Sequence, residues 1–306
     1  LFDNIDPTQF TVQPRLPVPD HIGRPDWLNN PNPKFHQLDS KSNAKIAQWT
    51  DSKDKAEIRA AASIAAAALT HITEHARIGM TASECDEIIH EFIVSQDAYP
   101  SGVGFMGFPK SVCISPNNVV CHGIPNSRPF QDGDFANFDV TCFKDGFFGD
   151  TSKMIHFGQV HPKILELSKT CQEAMYGAIK ICRPGTTFSE IGRVVTSIAA
   201  AKGFYVDPNF TGHGIGNFMH MLPQVLHNSE YVVPHEDAVM KPGNLFTIEP
   251  IICMHTTANN MRGLPDGFTY VSDHNPSVQW EHMILITETG CEVITHREDD
   301  TIPRFQ

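Results

Sequence analysis

The chain has 306 residues and a mass of 34.0 kDa, with 41% hydrophobic and 19% charged residues. This composition is that of a globular protein able to bury one large core or two modest ones. The formal charge of −12 would repel polyphosphate at long range, so it disfavours nucleic-acid binding. The alanine-rich run at 60–76 is interrupted by His71 and Glu74, so it does not predict a membrane span.

Eight cysteines are scattered along the chain with no CxxC pair. This spacing indicates neither a zinc knuckle nor a disulfide framework, so we expect a reducing compartment and a cytoplasmic location. Because the first residue is Leu1 rather than methionine, the sequence is expected to be a trimmed product whose targeting signals are not visible.

Residues 1–50 are rich in proline and lack periodicity, with seven prolines in all. The composition predicts an extended arm lying on the protein surface. A disordered linker is the alternative interpretation. The globular domain is predicted to span residues 51–306.

From about residue 51 the predicted elements run helix, helix, strand, strand, and this order then repeats. The first helix is predicted over residues 54–79 and its counterpart over 161–185. Both end in a glycine, Gly79 and Gly185, 106 positions apart, and each glycine is predicted to be a helix C-cap.

The second helix of each half opens with the same spacing of a threonine and a glutamate. Thr81 precedes Glu84 by three residues, and Thr187 precedes Glu190 by three. This spacing is typical of a helix N-cap.

The strands repeat as well. Residues 133–139 and 243–249 are apolar runs, 110 positions apart, that end in Asp139 and Glu249. A third pair, Asp150 and Glu281, is predicted to stand at the heads of two further strands, with an insertion over 253–279 between them. The sequence therefore predicts an α+β fold of two similar halves around a pseudo-two-fold axis.

The repeat aligns four carboxylates on otherwise apolar strands: Asp139, Asp150, Glu249 and Glu281. Burying like charges together costs several kcal/mol each, so the groups must be protonated, paired with arginine or bound to metal. Two divalent cations would balance four carboxylates, at the separation of roughly 3.5 to 4 Å common in two-metal hydrolases. One such residue alone would more often be a surface group.

His213 lies between glycines in the segment GHGIG and can add a nitrogen ligand to these oxygens. Oxygen ligands with one imidazole suit Mn, Co, Fe or Zn. By itself such a histidine is more often a turn residue than a ligand.

The chain resembles type I methionine aminopeptidases in a series of motifs that run in order from about residue 50 to 295. The motifs are FPKSVCISPNNVVCHGIP (108–125), FDV and GDTS (138–152), GHGIG (212–216), FTIEP (246–250) and QWEH (279–282). Residues 17–27 resemble the linker of eukaryotic members, whose N-terminal zinc-binding domain is not expected here. The resemblance implies the pita-bread fold, with a curved, mainly antiparallel sheet.

The resemblance also implies a role for each ligand residue. Asp150 and Glu281 match carboxylates that bridge two metals, Asp139 matches a ligand of one metal, and His213 with Glu249 match ligands of the other. Bound metals lower the pKa of a shared water, and the resulting hydroxide can attack the first peptide carbonyl.

Three residues match catalytic positions of the family. Glu249 is implied as general base, His220 as the group that holds the scissile carbonyl oxygen, and His122 as a contact of the leaving-side amide. Without the resemblance, both histidines would be interpreted as turn or loop residues.

The family implies an apolar pocket for an unbranched thioether side chain. The matching positions are Phe105, Phe108, Cys113, Met219 and Phe268, together with His122 and His220. Three of them depart from the family pattern: Phe105 stands where tyrosine is usual, Met219 where phenylalanine is usual, and Phe268 where tryptophan is usual. Ordinary core packing is the alternative for each aromatic residue.

The resemblance implies further partners, and two alternative functions stay open. A monovalent cation is predicted at the backbone oxygens of Asn117, Val119 and Ser277. Nascent polypeptide N-termini and the ribosome are the expected partners of a monomer, without a membrane or a specific nucleic acid. The alternatives are a proline-specific aminopeptidase or prolidase of the same fold, and a catalytically silent binding homologue.

Overall fold

The computed structural model describes residues 1–28, the backbone of 36–37, and residues 46–231, 238–258, 260–298 and 300. The helices of this part are α1 (Ser52–His75), α2 (Ala82–Ser95), α3 (Pro162–Ile181) and α4 (Ser189–Ala201). Its strands are β1 (His36–Gln37), β2 (Tyr99–Pro100), β3 (Cys113–Pro116), β4 (Val119–Cys121), β5 (Phe135–Lys144), β6 (Phe147–His156), β7 (Tyr205–Val206), β8 (Gly212–Gly214), β9 (His220–Val225), β10 (Leu245–Ile248), β11 (Ile251–Cys253), β12 (Met261–Gly263), β13 (Tyr270–Ser272), β14 (Ser277–Gln279), β15 (His282–Ile286) and β16 (Cys291–Val293).

The strands form mixed layers that are mainly antiparallel. The largest sheet has the order β1-β9-β8-β10-β15-β16, and the long hairpin β5-β6 belongs to a second sheet with β2 and β3. Two smaller sheets have the orders β14-β11-β7 and β12-β13-β4. Of the paired strands in the described residues, β1 and β9 alone run parallel.

Two hydrophobic cores correspond to the two predicted halves. In the first, Leu69 of α1 and Phe138 of β5 are buried with residues of α2. In the second, Ile179 of α3 and Phe246 of β10 are buried with residues of α4. None of the helices in the described part of the chain is long and apolar enough to cross a bilayer.

Equivalent backbone hydrogen bonds relate the two halves. The Gly79 amide donates to Phe130 O at 2.8 Å, and the Gly185 amide donates to Met240 O at 2.9 Å. The two donors, Gly79 and Gly185, are 106 positions apart, and the two acceptors, Phe130 and Met240, are 110 apart. These are the same offsets as in the sequence repeat. The predicted α+β pita-bread fold with two similar halves is confirmed.

The two glycines of that repeat are not the helix C-caps, so this prediction was wrong. The C-caps are Ala76 and Cys182, three residues before Gly79 and Gly185. Each glycine instead has φ near +90°, which a side chain disfavours, in the turn that leads from the helix to the next hydrogen-bonded bridge.

The predicted helix N-caps differ between the halves. Thr81 and Glu84 form a reciprocal capping box at the start of α2, as predicted. The equivalent box is absent at α4, whose N-cap is Phe188 with no side-chain hydrogen bond. Glu190 pairs with Arg193 instead, so its carboxylate does not reach back to the cap.

The first 28 residues contain two short 3-10 turns, Pro7–Gln9 and Asp26–Leu28. The Ile5 amide donates to Asn118 Oδ1 at 2.6 Å, and the Trp27 ring stacks on Phe148 at 5.3 Å. The rest of the predicted arm, at 29–35 and 38–45, lies outside the described residues. The arm and its boundary at residue 50 stay predictions.

Candidate active site

A cleft of about 430 Å³ is lined by residues of both halves. Every side chain predicted to bind metal or substrate, or to act in catalysis, lies on its walls: Phe105, Phe108, Cys113, His122, Asp139, Asp150, His213, Met219, His220, Glu249, Phe268 and Glu281. The structure thus brings together residues that are up to 176 positions apart in the chain.

The hairpin β5-β6 positions two of the carboxylates. Thr141 pairs in register with Asp150, and Asp139 lies two residues before Thr141, so all three side chains share one face. Thr141 Oγ1 donates to Asp150 Oδ1 at 2.8 Å. Cys113 of β3 stands opposite Asp139 on its other side.

One sequence prediction about these strands was wrong. Asp150 is the fourth residue of β6 and does not stand at the strand's head. The strand begins earlier because Asp145 and Gly146, both at positive φ, close a tight turn just before Phe147. Glu281, by contrast, immediately precedes β15, as predicted.

The first three residues of the GHGIG segment, Gly212–Gly214, form strand β8 rather than the turn that was the alternative interpretation. A Cβ on Gly212 would collide with Thr247 O, and one on Gly214 would collide with Leu222 O. The two glycines therefore let β8 lie tightly between β10 and β9, with His213 held in the cleft between them.

His213 presents one ring nitrogen to the carboxylates. Its Nδ1 lies 3.1 Å from Gly214 O, an arrangement that puts the proton on Nδ1 and leaves Nε2 as an acceptor. Nε2 lies 3.7 Å from Asp150 Oδ2 and 3.4 Å from Glu249 Oε1. Thr247 Oγ1 donates to Glu249 Oε1 at 2.7 Å and so holds that carboxylate in place.

The electrostatics of the cluster fit bound cations. Burial raises the pKa of Asp150 to about 7. Burial, together with the negative charge of neighbouring carboxylates, holds the pKa of Asp139, Glu249 and Glu281 well above the usual range. Ligand atoms of Asp150, His213 and Glu281 lie within 4.8 Å of one another. This donor set of oxygens and one imidazole suits divalent ions, whose charge would favour the ionised carboxylates.

The two predicted catalytic histidines both line the cleft but have different neighbours. His122 has φ +54°, a left-handed conformation that is strained for a residue with a side chain, and its ring meets Phe210 edge-on at 5.6 Å. The His122 side chain is open to the cleft, but the cleft walls shield it from bulk water. This desolvation lowers the pKa of His122 to about 4. The ring centroid of His220, on β9, lies 4.4 Å from that of His213 and 5.6 Å from that of Phe105.

Aromatic side chains form an apolar wall beside the carboxylates. Phe108 and Phe268 meet edge to face at 5.2 Å, and Met219 is 5% exposed. Trp27, from the N-terminal segment, packs edge-on against Phe105 at 5.1 Å. The pocket is therefore supported from behind by residues far away in sequence.

Four polar residues near the carboxylates were not predicted. Besides Thr141 and Thr247, His227 Nε2 accepts from the Glu249 amide at 3.1 Å, and Gln279 Nε2 donates to Glu249 Oε2 at 3.3 Å. The threonines could have been found, because each lies two residues from a carboxylate on a strand. Gln279 could have been found in the same way, because it lies two residues before Glu281. His227 carries no such signal, since it is 22 positions from Glu249.

Four carboxylates and one imidazole around a cleft between pseudo-symmetric αβ halves define a metal-dependent hydrolase of the pita-bread class. The sequence profile of metallopeptidase family M24 matches residues 56–288. A mitochondrial methionine aminopeptidase 1D of Danio rerio is 40% identical over 294 residues, covering 93% of this chain and 80% of the relative. The methionine aminopeptidase of Escherichia coli K12 is 42% identical over 256 residues, covering 82% of this chain and 94% of that protein. The chain therefore belongs to metallopeptidase family M24, and within it to the methionine aminopeptidases.

Solved structures agree with this assignment. Methionine aminopeptidase from Rickettsia prowazekii aligns with a TM-score of 0.77 and 36% identity, covering 83% of this chain and all of that one. A prolidase from Pyrococcus furiosus aligns with a TM-score of 0.63 and 21% identity, covering 83% of this chain and 66% of that one. At this identity the prolidase shares the fold alone. The relatives near 40% identity are named methionine aminopeptidases, so the proline-specific alternative is not favoured.

Proposed function

We propose that this chain removes the N-terminal methionine from newly made proteins and peptides. The observation that carries the proposal is the junction of an apolar pocket with the carboxylate cluster in one cleft. Phe108, Met219 and Phe268 offer a methionine side chain apolar contacts, while the peptide bond would lie toward Asp150 and Glu249. The identity of relatives named methionine aminopeptidases supports the same activity.

The five predicted ligand residues would hold the metal. Asp150 and Glu281 are proposed to bridge two ions, Asp139 to bind one, and His213 with Glu249 to bind the other. Divalent ions at such a site polarise the scissile carbonyl and lower the pKa of an attacking water. The charge of four carboxylates supports two ions, and the donor set supports Co, Mn, Fe or Zn.

The chain's own residues would orient the substrate and move the protons. Glu249 is the proposed general base, which takes a proton from the attacking water and returns it to the leaving amine. His220 is proposed to donate to the scissile carbonyl oxygen and His122 to contact the amide on the leaving side. The low pKa of His122 supports a neutral imidazole at pH 7.

A monovalent cation near Asn117, Val119 and Ser277 remains a separate proposal. Asn117 O accepts from the Ser277 amide at 3.1 Å, and Val119 O accepts from Ser277 Oγ at 3.2 Å. Each carbonyl oxygen has a second lone pair that can coordinate a cation.

The partners and the location are also proposals. N-termini of nascent chains, presented at the ribosome, are the expected substrates of a monomer that uses neither a membrane nor a specific nucleic acid. The cysteines of the described residues are all free thiols, which supports a reducing compartment such as the cytoplasm. Fractionation of cells that express the full-length protein would separate the cytoplasm from an organelle.

The test is release of free methionine from a Met-Ala-Ser peptide by metal-stripped protein, with and without added Co²⁺ or Mn²⁺. Metal-dependent release is expected, and Met-Leu-Ser should be cut more slowly because a bulky second side chain crowds the cleft. Cleavage of only an Ala-Pro-Ala control would assign a proline-specific enzyme. The absence of any cleavage with any metal would instead identify a silent binding homologue.

A further inference from the structure

The last turn of α1 carries a second group of metal-ligating side chains, outside the cleft. His71, Glu74 and His75 stand at positions i, i+3 and i+4 of the helix, so they share one face. One imidazole nitrogen of each histidine and a carboxylate oxygen of Glu74 lie within 4.8 Å of one another. Ligands bound to one tetrahedral ion at about 2.1 Å would lie about 3.4 Å apart, so small rotamer changes close the set.

Existing contacts already orient the two imidazoles. His75 Nδ1 lies 2.8 Å from the backbone oxygen of His71, an arrangement that puts the proton on Nδ1 and leaves Nε2 for a metal. The His71 ring stacks on Phe92 of α2 at 4.9 Å, and the two imidazole rings are 4.3 Å apart. The histidines therefore lose little conformational freedom on binding an ion.

The position at the helix end also favours a cation. α1 ends at His75, where the carbonyl groups of the last helical turn concentrate partial negative charge, although His75 O already accepts from Arg77 Nη1 at 3.3 Å. Glu74 and His75 are exposed, so an ion reaches them without any opening of the fold.

We propose that His71, Glu74 and His75 form a second metal site, the helix-end site, for a divalent transition ion of the zinc or cobalt type. Two imidazoles and one carboxylate are the ligand chemistry that such ions prefer, and water completes the coordination. None of the three residues lines the cleft, so the helix-end site adds one ion per chain beyond those of the catalytic cluster.

Equilibrium dialysis of metal-stripped protein against Zn²⁺ tests the proposal, with bound zinc counted per chain. The variant is His75→Gln, which removes an exposed ligand, and the matched control is His21→Gln, which removes an exposed histidine elsewhere. The wild type and the control should hold one more zinc than His75→Gln, whose helix-end affinity should fall at least about tenfold. Equal zinc in all three proteins would overturn the proposal.

A second background separates this site from the catalytic one. Asp150→Asn removes a proposed cleft ligand but leaves α1 unchanged, so this variant should still bind one zinc that His75→Gln then abolishes. If Asp150→Asn protein binds no zinc, the helix-end site does not exist. Methionine release at saturating metal should be equal in wild type and His75→Gln, because the cleft is intact in both.

Discussion

The Arg297 guanidinium donates from Nη1 to Thr151 Oγ1 at 2.6 Å. Thr151 directly follows Asp150 in the chain. Thr151 Oγ1 in turn donates to the backbone oxygen of Glu281 at 2.6 Å. Arg297 is 2% exposed and pairs through Nε with Asp300 Oδ1 at 3.2 Å. A buried arginine from the end of the described chain therefore ties together the backbones that carry two proposed metal ligands.

Replacing this arginine should weaken both the fold and metal binding. Arg297→Met removes the guanidinium from buried Asp300 and leaves His282 Nε2, 3.3 Å from Asp300 Oδ2, as its nearest remaining side-chain partner. The free energy of unfolding should fall by about 3 kcal/mol. The control is Arg59→Met, whose partly exposed pair with Glu292 should contribute about 1 kcal/mol or less. Denaturant unfolding and Co²⁺ titration measure the two effects. Unchanged Co²⁺ affinity in folded Arg297→Met protein would limit Arg297 to a stabilising role.

Asp150→Asn should abolish peptidase activity and metal binding in the cleft. The substitution keeps the size of the side chain but removes the charge at a proposed bridging position between β6 and His213. Asp145→Asn is the matched control, because Asp145 lies exposed in the preceding turn, where asparagine also accepts a positive φ. Methionine release and bound cobalt should be unaffected in the control. Full activity of Asp150→Asn protein would refute the two-metal scheme.

Phe268→Ala should impair methionine recognition more than folding. Phe268 is half-buried and meets Phe108 edge to face, so its removal opens the apolar wall of the pocket. The loss of about 1.4 to 3 kcal/mol of contact corresponds to a fall of about 10- to 150-fold in kcat/KM for Met-Ala-Ser. Phe268→Trp, which restores the residue usual in the family, should remain within a few-fold of wild type. An unaltered kcat/KM in Phe268→Ala protein would show that this side chain does not contribute to methionine binding.

His156 should make the protein less stable in acid. Burial, and then the charge of Lys153, lower the pKa of His156 to about 4. Between pH 6.5 and pH 4 the unfolded chain therefore binds a proton that the folded chain does not, and stability falls as the pH falls. The contribution amounts to about 2 kcal/mol between pH 7 and pH 5.

His156→Gln removes this titration. The difference in unfolding free energy between pH 7 and pH 5, measured with urea on metal-stripped protein, should shrink by that amount relative to wild type. Comparing two proteins cancels the contributions of the carboxylates and the other histidines. Parallel pH profiles of the two proteins would contradict the assignment.

The two-half architecture was predictable because each half must bury its own apolar surface and leaves the same periodic pattern in the chain. The offsets between Gly79 and Gly185 and between Asp139 and Glu249 carried that pattern. The outcome at the helix ends was not predictable, since Gly79 serves the following turn and Glu190 prefers Arg193. Such local choices depend on neighbours that composition does not reveal.

The residue types of the candidate site were likewise contained in the sequence, because carboxylates on apolar strands are costly unless a cation compensates them. Tertiary structure alone decided what supports them. Arg297, His227 and Trp27 reach the site from segments distant in sequence, and their roles follow from packing and hydrogen bonds that form only when the halves close. Strand periodicity specifies which face a side chain occupies, but the partner across that face is set by the folding of the whole chain.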